Sequence, residues 1–143
     1  MERMTETEWR GFLLAGPPRT GKLATVRPDG RPHVAPVWFD LDDRGDTVEL
    51  VFTTFASSVK GRNLANDPRV SLCVDDERPP YAYVVIEGEA RLSVDPVDLR
   101  VWPSRIAARY MGADKVVERE PVEGEQVVHV HIHHVVADRN ITG

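Results

Sequence analysis

The sequence predicts a mainly β domain: a small antiparallel barrel or sandwich of about six strands with two or three short helices. Three observations carry this. Runs with two-residue alternation recur between turn signals. Eleven prolines and ten glycines cut the 143 residues into elements too short for a helical bundle. No Gly-rich strand-to-helix turn opens a βαβ unit, which argues against a doubly wound dinucleotide-binding sheet. Barrel closure removes exposed strand edges, so the barrel is favoured over the sandwich. The length fits one domain, residues 1–143.

The elements follow in order. Thr5-Glu6-Thr7-Glu8 has the form of a capping box, and Trp9, Phe12 and Leu13 share one face of the helix it starts. Gly16-Pro17-Pro18 ends that helix. Strands are predicted over Lys22–Arg27 and Pro32–Leu41, joined by Pro28-Asp29-Gly30-Arg31, where Pro presets φ and Gly takes a positive φ. A third strand, Thr47–Thr54, alternates except at Val51. Ser57 or Ser58 can cap a helix that stops at Asp67-Pro68. Val70–Val74 and Tyr81–Ser93 read as strands, the second with a bulge or bend at Gly88. Asp95-Pro96 starts a helix to about Met111 carrying Leu99, Trp102, Ile106 and Tyr110, with a kink or split expected at Pro103. Gln126–Val136 closes the set.

Composition narrows the function. With 18 Lys and Arg against 23 Asp and Glu, the net charge is −5, which argues against a nucleic-acid backbone binder. The acidic excess sits in turns and in Asp114–Glu125. Arg19–Pro36 holds four basic residues against Asp29 alone, a net of +3, and Thr54–Ser71 has a net of +2. Two basic segments on an acidic chain suit a small anionic ligand. A single cysteine, Cys73, excludes an internal disulfide and suits a reducing compartment. No apolar run approaches membrane-span length, and the N-terminal residues do not read as a signal peptide. The expectation is a cytoplasmic protein with no membrane partner.

Three stretches could carry chemistry. Thr53–Lys60 passes from a strand into a helix N-terminus, where free N–H groups, hydroxyls and Lys60 could cradle a phosphate. The plain alternative is a capped helix with a solvated lysine. In Arg31–Phe39 two prolines point to irregular or edge backbone able to meet the rim of a planar ring. Trp38 and Phe39 face opposite ways, so one at most meets that ring; the alternative is a barrel strand with a core aromatic. In Val127–His134 the alternation puts His129, His131 and His133 on one face. No acidic residue or cysteine lies at metal-ligand spacing nearby, so solvent-facing or interface histidines are expected and no metal site. Signatures of hydrolases and nucleotide-triphosphate loops are missing. An enzyme of this composition would rely on an organic cofactor.

The series Pro28–Phe39, then Thr54, Ser58 and Lys60, then Asn63-Leu64, Asp67–Leu72 and Glu87-Gly88-Glu89-Ala90 resembles the pyridoxamine 5'-phosphate oxidase-like split β-barrel superfamily. It is most similar to the branch that uses the deazaflavin coenzyme F420. The resemblance runs from about Trp9 to Val136. It implies a six-stranded antiparallel split β-barrel of the FMN-binding type and a homodimer with cofactor sites at the subunit interface. By matching positions, Thr54, Ser58 and Lys60 would hold the cofactor phosphate, while Pro36, Val37 and Trp38 would line the ring through their backbone. Asn63 and Arg62 are further candidates for phosphate or tail. Tyr83 would reach the cofactor of the partner subunit.

Members that bind FMN tend to carry basic residues where this chain has Ala35, Asp40 and Val59, and the Arg- and His-containing C-terminal segment used for pyridoxal phosphate is missing. The resemblance therefore points away from vitamin B6 oxidation and toward hydride transfer from C5 of reduced F420 to a planar unsaturated small molecule. Tyr110, Tyr83 or a strand histidine is a candidate proton donor. FMN is the alternative cofactor, and a non-catalytic flavin or haem carrier is the alternative function.

Overall fold

The computed structural model describes residues 1–142. Along the chain run β1 (Glu2–Arg3), α1 (Glu6–Leu14), β2 (Gly21–Val26), β3 (Pro32–Val37), β4 (Asp40–Asp43) and β5 (Val48–Phe55). Then come α2 (Val59–Asn66), β6 (Arg69–Asp76), β7 (Tyr81–Ser93), α3 (Pro96–Met111), a 3-10 turn at Ala113–Lys115, and β8 (Glu125–Ile141). None of these helices is long and apolar enough to cross a membrane.

The helix starts are where the caps placed them. The Thr5 hydroxyl accepts from Glu8 N–H, and the Glu8 carboxylate accepts from Thr5 N–H. Ser58 caps α2 by accepting from Gly61 N–H at 3.0 Å. Gly61 is required there: a Cβ would stand 2.1 Å from the Phe55 carbonyl oxygen. Asp95 caps α3 ahead of Pro96. The split expected at Pro103 does not occur, since α3 continues to Met111 as one helix. Packing of its Trp102 and Ile106 against the sheet compensates for the hydrogen bond proline removes.

All strands join one antiparallel sheet in the order β3-β2-β6-β7-β8-β5-β4, with β1 beside β8. This corrects the expected six strands and their closure. The stretch Pro32–Leu41 is two strands, and β1 is an addition. The ladder stays open between its end strands β3 and β4, which follow each other in the chain. At the break, α3 replaces the missing ladder. Tyr110 Oη accepts from Phe39 N–H at 3.3 Å, and Arg109 donates to the carbonyls of Phe39 and Leu13. The backbone can leave the sheet at Trp38-Phe39 because its polar groups find these partners.

Of the bulge or bend expected at Gly88, the structure has the bulge. Register steps from Glu87↔His134 to Gly88↔Ile132, and a Cβ on Gly88 would stand 2.2 Å from the His131 carbonyl oxygen. The long β8 pairs with β7 over most of its length and with β5 over its first half.

Two apolar clusters result. The larger fills the inside of the curved sheet with Leu23, Phe39, Leu50, Phe52, Leu72, Val84, Ile86 and Val130, plugged by Trp9 and Leu13 of α1. The smaller lies outside, where Trp102 and Ile106 of α3 cover Val51 and Val127. Each fully buried side chain of this size contributes about 1.5–3 kcal/mol.

Candidate functional site

A cleft of about 410 Å³ opens where β3, β5, α2 and α3 meet. One wall is Pro36, Val37 and Trp38, at the end of β3. Trp38 is 43% exposed, while Phe39 is fully buried in the main core, so one aromatic of the pair faces outward. The Trp38 ring lies on Tyr110, with centroids 5.0 Å apart and planes within 3°. Helix α3 lines the same cleft with Pro103, Ile106 and Ala107. Lys60 lines the cleft from the first turn of α2, half-buried, and among the described residues it forms no ion pair.

Arg119 and Glu125 complete the rim. Arg119 donates to both carboxylate oxygens of Glu125, at 2.8 and 3.1 Å. These bonds hold the buried Glu125 carboxyl below its ordinary value. Neither residue was singled out from the sequence. Arg119 lies in a predominantly acidic segment, and only the return of the chain toward β8 brings it to the cleft.

The other candidates fall in distinct places. Thr54 is buried, and its hydroxyl lies 2.9 Å from Ser58 Oγ. Ser58 in turn donates to the Phe55 carbonyl at 2.7 Å while accepting from Gly61. The two hydroxyls thus hold the β5–α2 turn that presents Lys60. Asn63 is buried and donates to Thr25 Oγ1 at 3.0 Å, tying α2 to β2. Arg62 is exposed on α2. Tyr83 lies apart, in a separate depression with Cys73 and Tyr81. Of the first basic segment, Lys22 pairs with Asp75 and Arg19 with Asp76, so much of its charge is neutralised.

Both candidate proton-donor tyrosines are engaged. Tyr83 donates to Asp138 Oδ2 at 2.7 Å, and this bond, with burial, pushes its hydroxyl above the ordinary value. Tyr110 donates to the Arg19 carbonyl at 2.7 Å. Burial pushes the Tyr110 hydroxyl up, and the Phe39 and Arg109 donors offset only part of that. Cys73 is likewise pushed up by burial and the nearby Asp75, as suits a packed thiol.

The histidines separate. His131 and His133 are exposed, as expected, but His129 is 2% exposed and bonded to Asp98 of α3. That corrects the solvent-facing or interface expectation for His129, because α3 folds over this end of β8 and supplies a partner.

The architecture is thus an open antiparallel sheet wrapped around an apolar core, with a cleft between its first end strand and two helices. The family model for pyridoxamine 5'-phosphate oxidase matches residues 5–137, and the chain belongs to that family. Over 75 residues it is 41% identical to a 5a,11a-dehydrotetracycline/5a,11a-dehydrooxytetracycline reductase of Streptomyces rimosus, covering 50% of this chain and 53% of that protein. The match therefore spans about half the length of that relative. Among solved structures, a conserved hypothetical protein of Mycobacterium tuberculosis superposes with a TM-score of 0.79 at 27% identity, covering 96% of this chain and 86% of its own. An F420 reductase superposes with a TM-score of 0.69 at 30% identity, covering 87% of this chain and 94% of its own.

Proposed function

We propose that the chain is an oxidoreductase that uses coenzyme F420 to reduce a planar, unsaturated small molecule. The observation that carries this reading is the pairing, in one cleft, of an outward aromatic wall at Trp38 with the half-buried ammonium of Lys60, which has no ion-pair partner among the described residues. The likeness to an F420 reductase over most of both chains supports the choice of cofactor.

The residues fit such a group. β3 is an end strand, so its outer backbone groups at Pro36–Trp38 have no ladder partner and are free to meet the rim of a ring. The Lys60 ammonium and the N–H groups of Val59 and Lys60, which the Ser58 cap leaves unused, suit an anionic tail, with Arg62 further along the same helix. Thr54, Ser58 and Asn63 act by holding the turn and the helix in place. Val37 and Ile106 supply an apolar surface that keeps water from the ring. When bound, the reduced deazaflavin supplies a hydride at C5; the protein supplies orientation and tail binding. The reading includes a cytoplasmic homodimer, with Tyr83 reaching the cofactor bound to the other copy.

FMN is the second reading, favoured by the family match itself. Titration of the purified protein separates the two. F420 fluorescence should be quenched on binding, and reduced F420 should be consumed when an enone acceptor is added. Tight FMN binding with no F420 response overturns the proposal, and F420 binding without turnover of any acceptor leaves a carrier.

A further inference from the structure

We propose that Asp42, Glu49 and His129 form a binding site for one divalent cation of borderline softness, Zn2+ being the type. The three come from the adjacent strands β4, β5 and β8. Asp42 and Glu49 are direct cross-strand partners, and His129 is opposite Val51, two residues along from Glu49, so all three project from one face of the sheet. One ligand atom from each lies within 4.8 Å of the other two. Ligand atoms sharing a tetrahedral zinc stand roughly 3.3 Å apart, so modest side-chain rotation closes the set.

His129 separates this cluster from ordinary surface acidity. Its ring is buried, with Trp102 packed edge-on. Its Nε2 lies 2.9 Å from Asp98 Oδ2, an oxygen that also accepts from Ser93 Oγ at 2.7 Å. A carboxylate acceptor there places the ring proton on Nε2 and leaves Nδ1 a lone pair. Nδ1 is buried without a hydrogen-bond partner and lies 3.8 Å from Glu49 Oε1, which is buried without one too. No hydrogen-bond donor lies between these two buried atoms, and a cation placed between them satisfies both. A carboxylate on the far nitrogen, here Asp98, is the arrangement that orients metal-binding imidazoles.

Arg44 marks where positive charge is wanted. Its Nε is 3.2 Å from both Asp42 Oδ2 and Glu49 Oε1, with its N–H directed at Asp42. The side chain is half exposed beside the β4–β5 turn and can swing into solvent. Arg91 lies farther off, 3.8 Å from Glu49. Local spacing in the sequence hides this ligand set because each member belongs to a different strand.

The test is titration of chelator-treated, full-length protein with Zn2+ by calorimetry and with Co2+ by visible absorption. One equivalent should bind. Asp98→Asn, a positioning change, should weaken binding by roughly 10–100-fold, the scale of lost outer-sphere support. The double variant Asp42→Asn, Glu49→Gln should lose at least as much. Arg44→Gln removes no ligand and should tighten binding severalfold, an effect a purely structural cluster would not produce; it decides the matter should the double variant misfold. His131→Gln with His133→Gln should change nothing. Absence of stoichiometric uptake, or uptake that vanishes only in the His131 and His133 variant, overturns the proposal.

Discussion

The two faces of β5 teach different lessons. Val48, Leu50 and Phe52 turn inward and do one thing: they fill the core beneath the curved sheet. The outward residues change role at every step. Glu49 joins a charged cluster, Val51 lies beneath α3, and Thr53 lines the cleft. The inner face is uniform because only apolar volume is needed there. The outer face is varied because α3 packs over Val51 in its middle, while Glu49 and Thr53 on either side meet other groups.

That contrast can be broken by substitution. The largest expected effect is inside: Phe52→Ala should cost about 3–5 kcal/mol of folding stability, read by chemical denaturation. A loss under 1 kcal/mol would mean the inner face is not the main core. Across the sheet, Lys60→Ala should leave stability within about 0.5 kcal/mol and weaken cofactor binding by about 1.5–3 kcal/mol, the scale of a charge-assisted bond. An unchanged dissociation constant removes Lys60 from the site. Tyr110→Phe keeps the stacking on Trp38 but removes the tie across the β3–β4 break, and should cost about 1 kcal/mol. The smallest effect is pH-dependent. Glu125 is held below its ordinary value by Arg119 when folded, so the pair stabilises the fold at neutral pH. That contribution fades once the pH drops below the ordinary carboxylate range and is gone below the lowered folded value. The Glu125→Gln variant should therefore show a shallower loss of Tm with acid than the parent chain, and parallel curves would count against the linkage.

The same contrast explains what could be read from the sequence. Caps are local, so Thr5, Ser58 and Asp95 located three helix starts to within a residue. The bulge at Gly88 was legible because glycine in a strand has few other uses. Val51 broke the alternation of its strand for a good reason: both faces of β5 are covered there. The break at Trp38-Phe39 was not legible, since the groups that permit it, Arg109 and Tyr110, lie some 70 residues on. His129 looked like its exposed neighbours because nothing beside it in sequence announces Asp98 or Glu49. In the candidate site, Pro36–Trp38 and Lys60 line one cleft, whereas Arg119 and the α3 residues reach it only through the way the chain returns to the sheet.

The strand β8 has a consequence for the order of assembly. Among the described residues it is the only link in the ladder between the β5–β4 pair and the β3-β2-β6-β7 group, and it also pairs with β1. A nascent chain emerging from the ribosome can form its early hairpins, but the two halves have nothing to zip onto until residues 125–141 appear. Such late, long-range pairing slows folding and leaves strand edges bare in the interim. The cleft straddles the two halves, with β3 on one side and β5 on the other, so it takes shape only when the final strand is laid down.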